Sequence, residues 1–141
     1  MKLAFEGILI KPHGREKYWG VSVPLLEIYS QGKSQKEALA MIKDAVVNAV
    51  AEKGLKVEVQ MTGDDTFALS ASDFGVLLAF MLKQKRVSKK LSFREVSEKL
   101  GSSSPNAYRR YEHGESGTSL EKLVELMGAV SEDEYLLLKT G

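Results

Sequence analysis

The chain has 141 residues, of which 43% are hydrophobic and 28% charged, with three prolines, no cysteine and a formal net charge of +1. That composition belongs to a globular protein of one or two small domains and excludes collagen, mucin, disulfide-framework and thiolate-metal classes. The longest apolar run, Val76 to Leu82, is far short of the roughly 20 residues that span a bilayer, and no basic-then-apolar leader opens the chain, so no membrane partner and a cytoplasmic location are expected.

Residues 1 to 72 read as three strands, a helix and one or two further strands. Leu3 to Ile10 is an apolar segment that Pro12, His13 and Gly14 close with a turn. Tyr18 to Val23 is rich in aromatic and β-branched residues and stops at Pro24, and Leu26 to Ser30 runs apolar again until Gly32. Ser34 with Glu37 is a capping box. Behind it Ala38, Leu39, Ile42, Ala45, Val46, Ala49 and Val50 recur at spacings of three and four, which predicts a helix ending near Gly54 with one apolar stripe laid on the strands. Leu55 to Met61 alternates strictly, as a half-buried strand does, and Thr66 to Leu69 adds a short one after the Gly63, Asp64, Asp65 turn. The expected fold is α+β, a three-to-four-stranded sheet with one packed helix.

The run from Tyr18 to Val50, YWGVSVPLLEIYSQGKSQKEALAMIKDAVVNAV, resembles the core of the HicB antitoxin family: a strand ending in V-x-V-P, a short strand, then S-Q-G and an E-A-L that opens a long helix. Where the family has a Pro-Gly-Cys-like turn, this chain has Leu25 to Tyr29. The resemblance implies a partial RNase H-like fold that binds a small HicA-type mRNA-cleaving toxin. Tyr18, Trp19 and Tyr29 are the candidate toxin contacts, since rigid aromatics anchor interfaces, and the same residues fit a hydrophobic core.

Catalysis is not expected. A two-metal nuclease site needs several clustered carboxylates, whereas the strands offer Glu6, Glu27 and Glu58 among ordinary solvent-facing positions, and Asp64 with Asp65 reads as a turn. His13 and His113 each sit beside a glycine in a turn or helix exit, and no phosphate-loop, dinucleotide or nucleophile-elbow motif is present. No enzyme activity, cofactor or metal follows from these residues.

The near-zero average charge conceals three blocks. Residues 1 to 72 hold nine cations and nine anions; Lys83 to Tyr111 hold nine cations against Glu95 and Glu98, a net of +7; Glu112 to Gly141 hold seven anions against Lys122 and Lys139, a net of −5. A basic block of this density is the footprint of a polyanion partner or a solvated lysine-rich surface.

Residues 73 to 141 read as an all-α domain. Asp73 caps a helix apolar over Val76 to Leu82; Ser92 and Glu95 form a capping box for a short helix with Phe93, Val96 and Leu100 inward and Gly101 as its stop. Ser104 with Pro105 opens a third helix carrying Tyr108 and Tyr111 inward. A fourth starts at Thr118 or Ser119 with Leu120, Leu123, Val124, Met127 and Val130 inward, and Tyr135 to Leu138 form a last one. The stretch LSFREVSEKLGSSSPNAYRRYEHGESGTSLEKLVELMGAV resembles the helix-turn-helix domains of the lambda-repressor and Cro class, with Ser97 at the small-residue position, Gly101 at the turn, and Glu112 and Gly114 closing the recognition helix. Between Gly101 and Glu112 it has one residue more than that class.

The resemblance implies double-stranded operator DNA as partner. Asn106, Arg109 and Arg110 can reach base edges, Ser102, Ser103 and Ser104 suit a phosphate, and Lys89, Lys90 and Arg94 flank the backbone. One recognition helix per chain further implies a homodimer or a higher even-numbered assembly. Taken together, the two halves read as an antitoxin that neutralises a toxin with residues 1 to 72 and represses its own operon with residues 73 to 141. The alternative is a helix-turn-helix regulator whose α+β half dimerises or senses a ligand, with no toxin.

Overall fold

The computed structural model describes residues 1–115 and 117–141, which fall into two compact units, Met1–Leu77 and Leu78–Gly141. In the first, five strands form one antiparallel sheet: β1 (Phe5–Ile10), β2 (Trp19–Val23), β3 (Ile28–Gly32), β4 (Val57–Met61) and β5 (Thr66–Ala71), in the spatial order β3-β2-β1-β5-β4. All five strand segments read from the sequence join this sheet, one more than the three-to-four-stranded sheet expected, and the Thr62 to Asp65 turn folds β5 back between β1 and β4.

Strand alternation divides the sheet into two faces. Phe5, Leu9, Val21, Val23, Ile28, Val57, Phe67 and Leu69 point inward and are buried. α1 (Gln35–Val50) covers this side with Ala38, Ile42 and Val46, and Ser34 Oγ caps it by accepting from Glu37 N at 3.0 Å. Two glycines permit the packing. A side chain on Gly32 would strike the Ala38 backbone, so only glycine lets β3 and α1 approach. Gly7 pairs in register with Phe67, whose ring lies across the position a Cβ would occupy.

Two boundaries differ from expectation. Pro24 to Leu26 form a 3-10 turn, with Glu27 at φ 55° and Leu26 fully buried, so β3 begins at Ile28 and not at Leu26. The proline ends β2, and the turn drives Leu26 into the core. α1 ends at Val50 rather than near Gly54, because Ala51 turns left-handed (φ 55°), and Ala49 is exposed outside the stripe.

α2 (Phe74–Ser88) begins in the first unit, where Asp73 Oδ1 accepts from Gly75 N at 3.1 Å, and continues into the second. The second unit adds α3 (Phe93–Lys99), α4 (Arg109–Glu112) and α5 (Leu120–Val130). Its core is Met81, Leu82, Val96, Tyr108, Leu123, Leu126, Met127, Ala129 and Val130. On α5 the buried face is centred on Leu123, Leu126, Met127 and Val130, which leaves Leu120 and Val124 exposed where they were expected inside. Tyr135 to Leu138 form no helix, and Tyr135, Leu137 and Leu138 are exposed. Four residues cannot recover the cost of helix nucleation without a packed face.

Candidate nucleic-acid interface

The second unit is built to hold a short recognition segment. α3 carries a complete capping box: Ser92 Oγ accepts from Glu95 N (3.1 Å) and Glu95 Oε1 accepts from Ser92 N (3.2 Å). α2, α3 and α4 end alike, each with a left-handed residue and a reversed hydrogen bond spanning five residues: Leu91 N to the Arg86 carbonyl after Lys90 (φ 57°), Ser102 N to the Ser97 carbonyl after Gly101 (φ 77°), and Glu115 N to the Arg110 carbonyl after Gly114 (φ 69°).

The third helix is shorter than expected. Residues 105 to 108 form a lead-in of turns and only Arg109 to Glu112 are α-helical. Ser97, almost fully buried, ties this lead-in to α3: its hydroxyl donates to the Pro105 carbonyl (3.3 Å) and accepts from Tyr108 N (3.4 Å). The small-residue position is thus a hydrogen-bonding one as well as a space-saving one.

The strongest fastening was not foreseen. Arg86 of α2 grips Glu112, the last residue of α4, through Nε to Oε2 at 2.7 Å and Nη2 to Oε1 at 3.1 Å, while its Nη1 donates to the Leu91 carbonyl at 2.9 Å. The side chains are 13% and 2% exposed. The guanidinium also lies 4.2 Å from the centre of the Phe93 ring, the same ring that Arg109 overlies at 5.7 Å and that His113 meets edge-on. A buried, bidentate and stacked arginine is held in one orientation, and so is its partner. Spacing could have revealed it: Ala79, Leu82 and Arg86 share one helical stripe, so Arg86 was due inside and needed an anion. Tyr108 is buried beside this pair, and burial followed by the Glu112 charge pushes the pKa of its hydroxyl far up, so the group stays neutral.

Three of the nine cations in the basic block are neutralised by carboxylates of the acidic one: Arg86 by Glu112, Lys85 by Glu134 (2.8 Å) and Lys99 by Glu132 (3.2 Å). Lys89, Lys90, Arg94, Arg109 and Arg110 are exposed at the end of α2, the start of α3 and on α4. Asn106 and Ser103 are exposed, and Ser104 Oγ accepts from Asn106 N at 3.4 Å. Ser102 is half-buried and hydrogen-bonded to the Ser104 backbone, so its hydroxyl shapes the turn. Arg94, Ser102 and Ser103 lie with Ser97, Glu98 and Pro105 around an open groove of about 200 Å³. Tyr111, expected inside, is half-buried under the Lys122 ammonium at 5.4 Å.

In the first unit the three aromatics separate. Tyr29 and Tyr18 are exposed, Tyr29 on the face of the sheet opposite α1. Trp19 has the inward register of Val21 and is half-buried opposite Gly32, on the α1 side of the sheet.

Residues 82–131 match the family model for helix-turn-helix, and the match does not extend to the first unit. No curated protein matches the chain. The second unit is a helix-turn-helix domain, of the DNA-binding kind found in transcription regulators, and no helix among the described residues is long and apolar enough to cross a membrane.

Proposed function

We propose that this helix-turn-helix protein is an antitoxin of the HicB type, whose first unit covers a HicA-type mRNA-cleaving toxin and whose second unit represses the operon encoding both. The observation that carries the reading is the juxtaposition on one chain of a DNA-binding unit with a sheet whose HicB-like stretch contributes β2, β3 and α1 and whose far face exposes Tyr29. An RNA-cutting toxin is silenced once its substrate groove is covered, so the first unit needs no catalytic group, and we read the chain as non-enzymatic and located in the cytoplasm. With four α-helical residues to read a half-site, useful affinity requires two copies about one DNA turn apart, roughly 34 Å, hence an even-numbered assembly.

The test is coexpression with the adjoining gene. Its product should be a small basic protein that arrests growth and cleaves mRNA alone, and that is captured and silenced by this chain. A harmless or uncaptured neighbour, together with retained binding to upstream DNA, would leave a transcription regulator whose first unit dimerises or senses a ligand.

A further inference from the structure

Consecutive residues of α4 point about 100° apart, so its two arginines cannot serve the same point. Tyr108, which precedes α4 with helical backbone angles (φ −77°, ψ −34°), and Glu112, four residues on, share the inward side; the first is fully buried and the second is gripped by Arg86. The two flanks have different neighbours. Arg109 takes the flank toward α3, where its guanidinium lies 5.7 Å from the centre of the Phe93 ring. Tyr111 takes the flank toward α5, where the Lys122 ammonium lies 5.4 Å from the tyrosine ring. Arg110 is left on the side opposite Tyr108, exposed, and among the described residues its side chain meets no carboxylate and no ring. Phe93 is a fixed platform. It opens α3 and is half-buried, with the Arg86 guanidinium at 4.2 Å from its centre and the rings of Tyr108 and His113 each at 6.3 Å. Lys89 and Lys90 lie in the α2–α3 connection a few residues before it and Arg94 directly after it, all exposed. Glu95, the carboxylate of the same stretch, is committed to the capping box through Ser92 N at 3.2 Å.

We propose that the two arginines of α4 divide the work on DNA: Arg109, positioned by Phe93, binds a backbone phosphate, and Arg110 alone of the pair reads a base. The inference rests on the operator-binding part of the reading above. A guanidinium stacked by its face on an aromatic ring keeps its in-plane N–H donors free, and two of them match the oxygens of a phosphate. Arg109 is thereby turned sideways toward the exposed cations that bracket Phe93, and to reach a base in front of α4 it would have to leave the ring. Its orientation is set before DNA arrives, so little rotamer freedom is lost on binding. Arg110 has the opposite properties. It stands farthest from the core with no ring to hold it, and a freely extended guanidinium can bridge the two acceptors of guanine in the major groove.

The experiment measures binding of the full-length chain to two duplexes across a salt series: the segment upstream of its own gene that the wild type protects from nuclease, and a scrambled duplex of the same length and composition. Arg110→Ala should weaken the upstream duplex about tenfold or more and the scrambled one little, so the preference between them collapses. Arg109→Ala should weaken both alike, keep the preference within about twofold and lower the salt slope by about one unit. Phe93→Leu should weaken both duplexes several-fold when Arg109 is present and have little further effect in the Arg109→Ala background, while Phe93→Tyr, which keeps the ring, binds like the wild type. Thermal melts establish that each variant is folded, and Arg109→Ala and Arg110→Ala alter exposed groups should Phe93→Leu prove unstable. A collapse of the preference in Arg109→Ala would make that arginine a base reader and overturn the division, as would an Arg110→Ala variant that keeps the preference. Equal losses from Phe93→Leu with and without Arg109 would mean that the ring supports the unit and not the arginine. If the wild type prefers neither duplex, the operator-binding reading itself fails.

Discussion

The two units stabilise their elements by different means. Among the described residues of the first, the buried side chains are apolar, and antiparallel ladders satisfy the strand backbone; the three buried polar or charged residues, Lys85, Ser97 and Ser131, all belong to the second, as does the Arg86–Glu112 pair. A ladder fixes each strand through many equivalent bonds, so its packing needs only shape. A recognition segment with four α-helical residues has too few backbone bonds to fix itself, and the second unit positions it with individual side chains: a hydroxyl at its start and a buried ion pair at its end.

This contrast is most sharply tested at its ionic end. Glu112→Ala leaves Arg86 charged and buried without its partner and should cost about 3 to 5 kcal/mol, whereas a combined Arg86→Met and Glu112→Leu exchange should cost far less, because desolvation of both charges is relieved together. Denaturant unfolding with a probe in the second unit measures both; equal losses in the two variants would mean that the pair matters through shape and not through charge.

The ladder end breaks differently. Gly7→Ala puts a methyl group into the Phe67 ring and should destabilise the first unit by about 1 to 3 kcal/mol, with part of the loss recovered by Phe67→Leu in the same background. Additive effects of the two changes would show that the ring does not depend on that glycine.

At the DNA surface, Arg109→Ala or Arg110→Ala should lose about 1 to 3 kcal/mol on the operator and little on random DNA if that arginine reads a base. Lys89→Ala should weaken both alike and lower the salt slope by about one unit, because phosphate contacts carry no sequence information. Filter binding or anisotropy on the two DNAs, across a salt series, separates the roles.

The smallest effect concerns the tail of the second unit. The hydrogen bond from Lys85, at 2.8 Å, holds the Glu134 carboxyl below its ordinary range. A carboxyl whose folded pKa is depressed stabilises the fold above its unfolded value, about 4.3, and loses that contribution as pH falls through the lower folded value. Glu134→Gln should therefore lower stability slightly at neutral pH, leave it unchanged at low pH where the carboxyl is protonated, and so flatten the acid limb between; an unaltered acid limb would show that the pair is not maintained in solution.

Much of this was legible in the chain. Strict alternation placed β4, Ser34 and Ser92 marked two helix starts, and Gly101 and Gly114 marked two helix ends, since each is a property of a few consecutive residues. The exposed candidates Asn106, Arg109 and Arg110 followed from the same local periodicity. What escaped has a common cause. Arg86 was counted with the basic block because charge counts carry no information about which cation faces inward, and Trp19 was grouped with Tyr18 and Tyr29 although alternation alone sends it to the opposite side.

The sequence by itself determined the kinds of element, their order and where most of them start and stop, because hydrophobic period, caps and left-handed glycines act within a turn or two of chain. Tertiary structure alone decided that β5 lies between β1 and β4, that the basic block is partly neutralised by the acidic one, and that Tyr29 lies on the face away from α1 in one row with Ser22 and Ile8. Each of these depends on residues tens of positions apart meeting in space, and such encounters are chosen by the packing of the whole unit rather than by any local run of side chains.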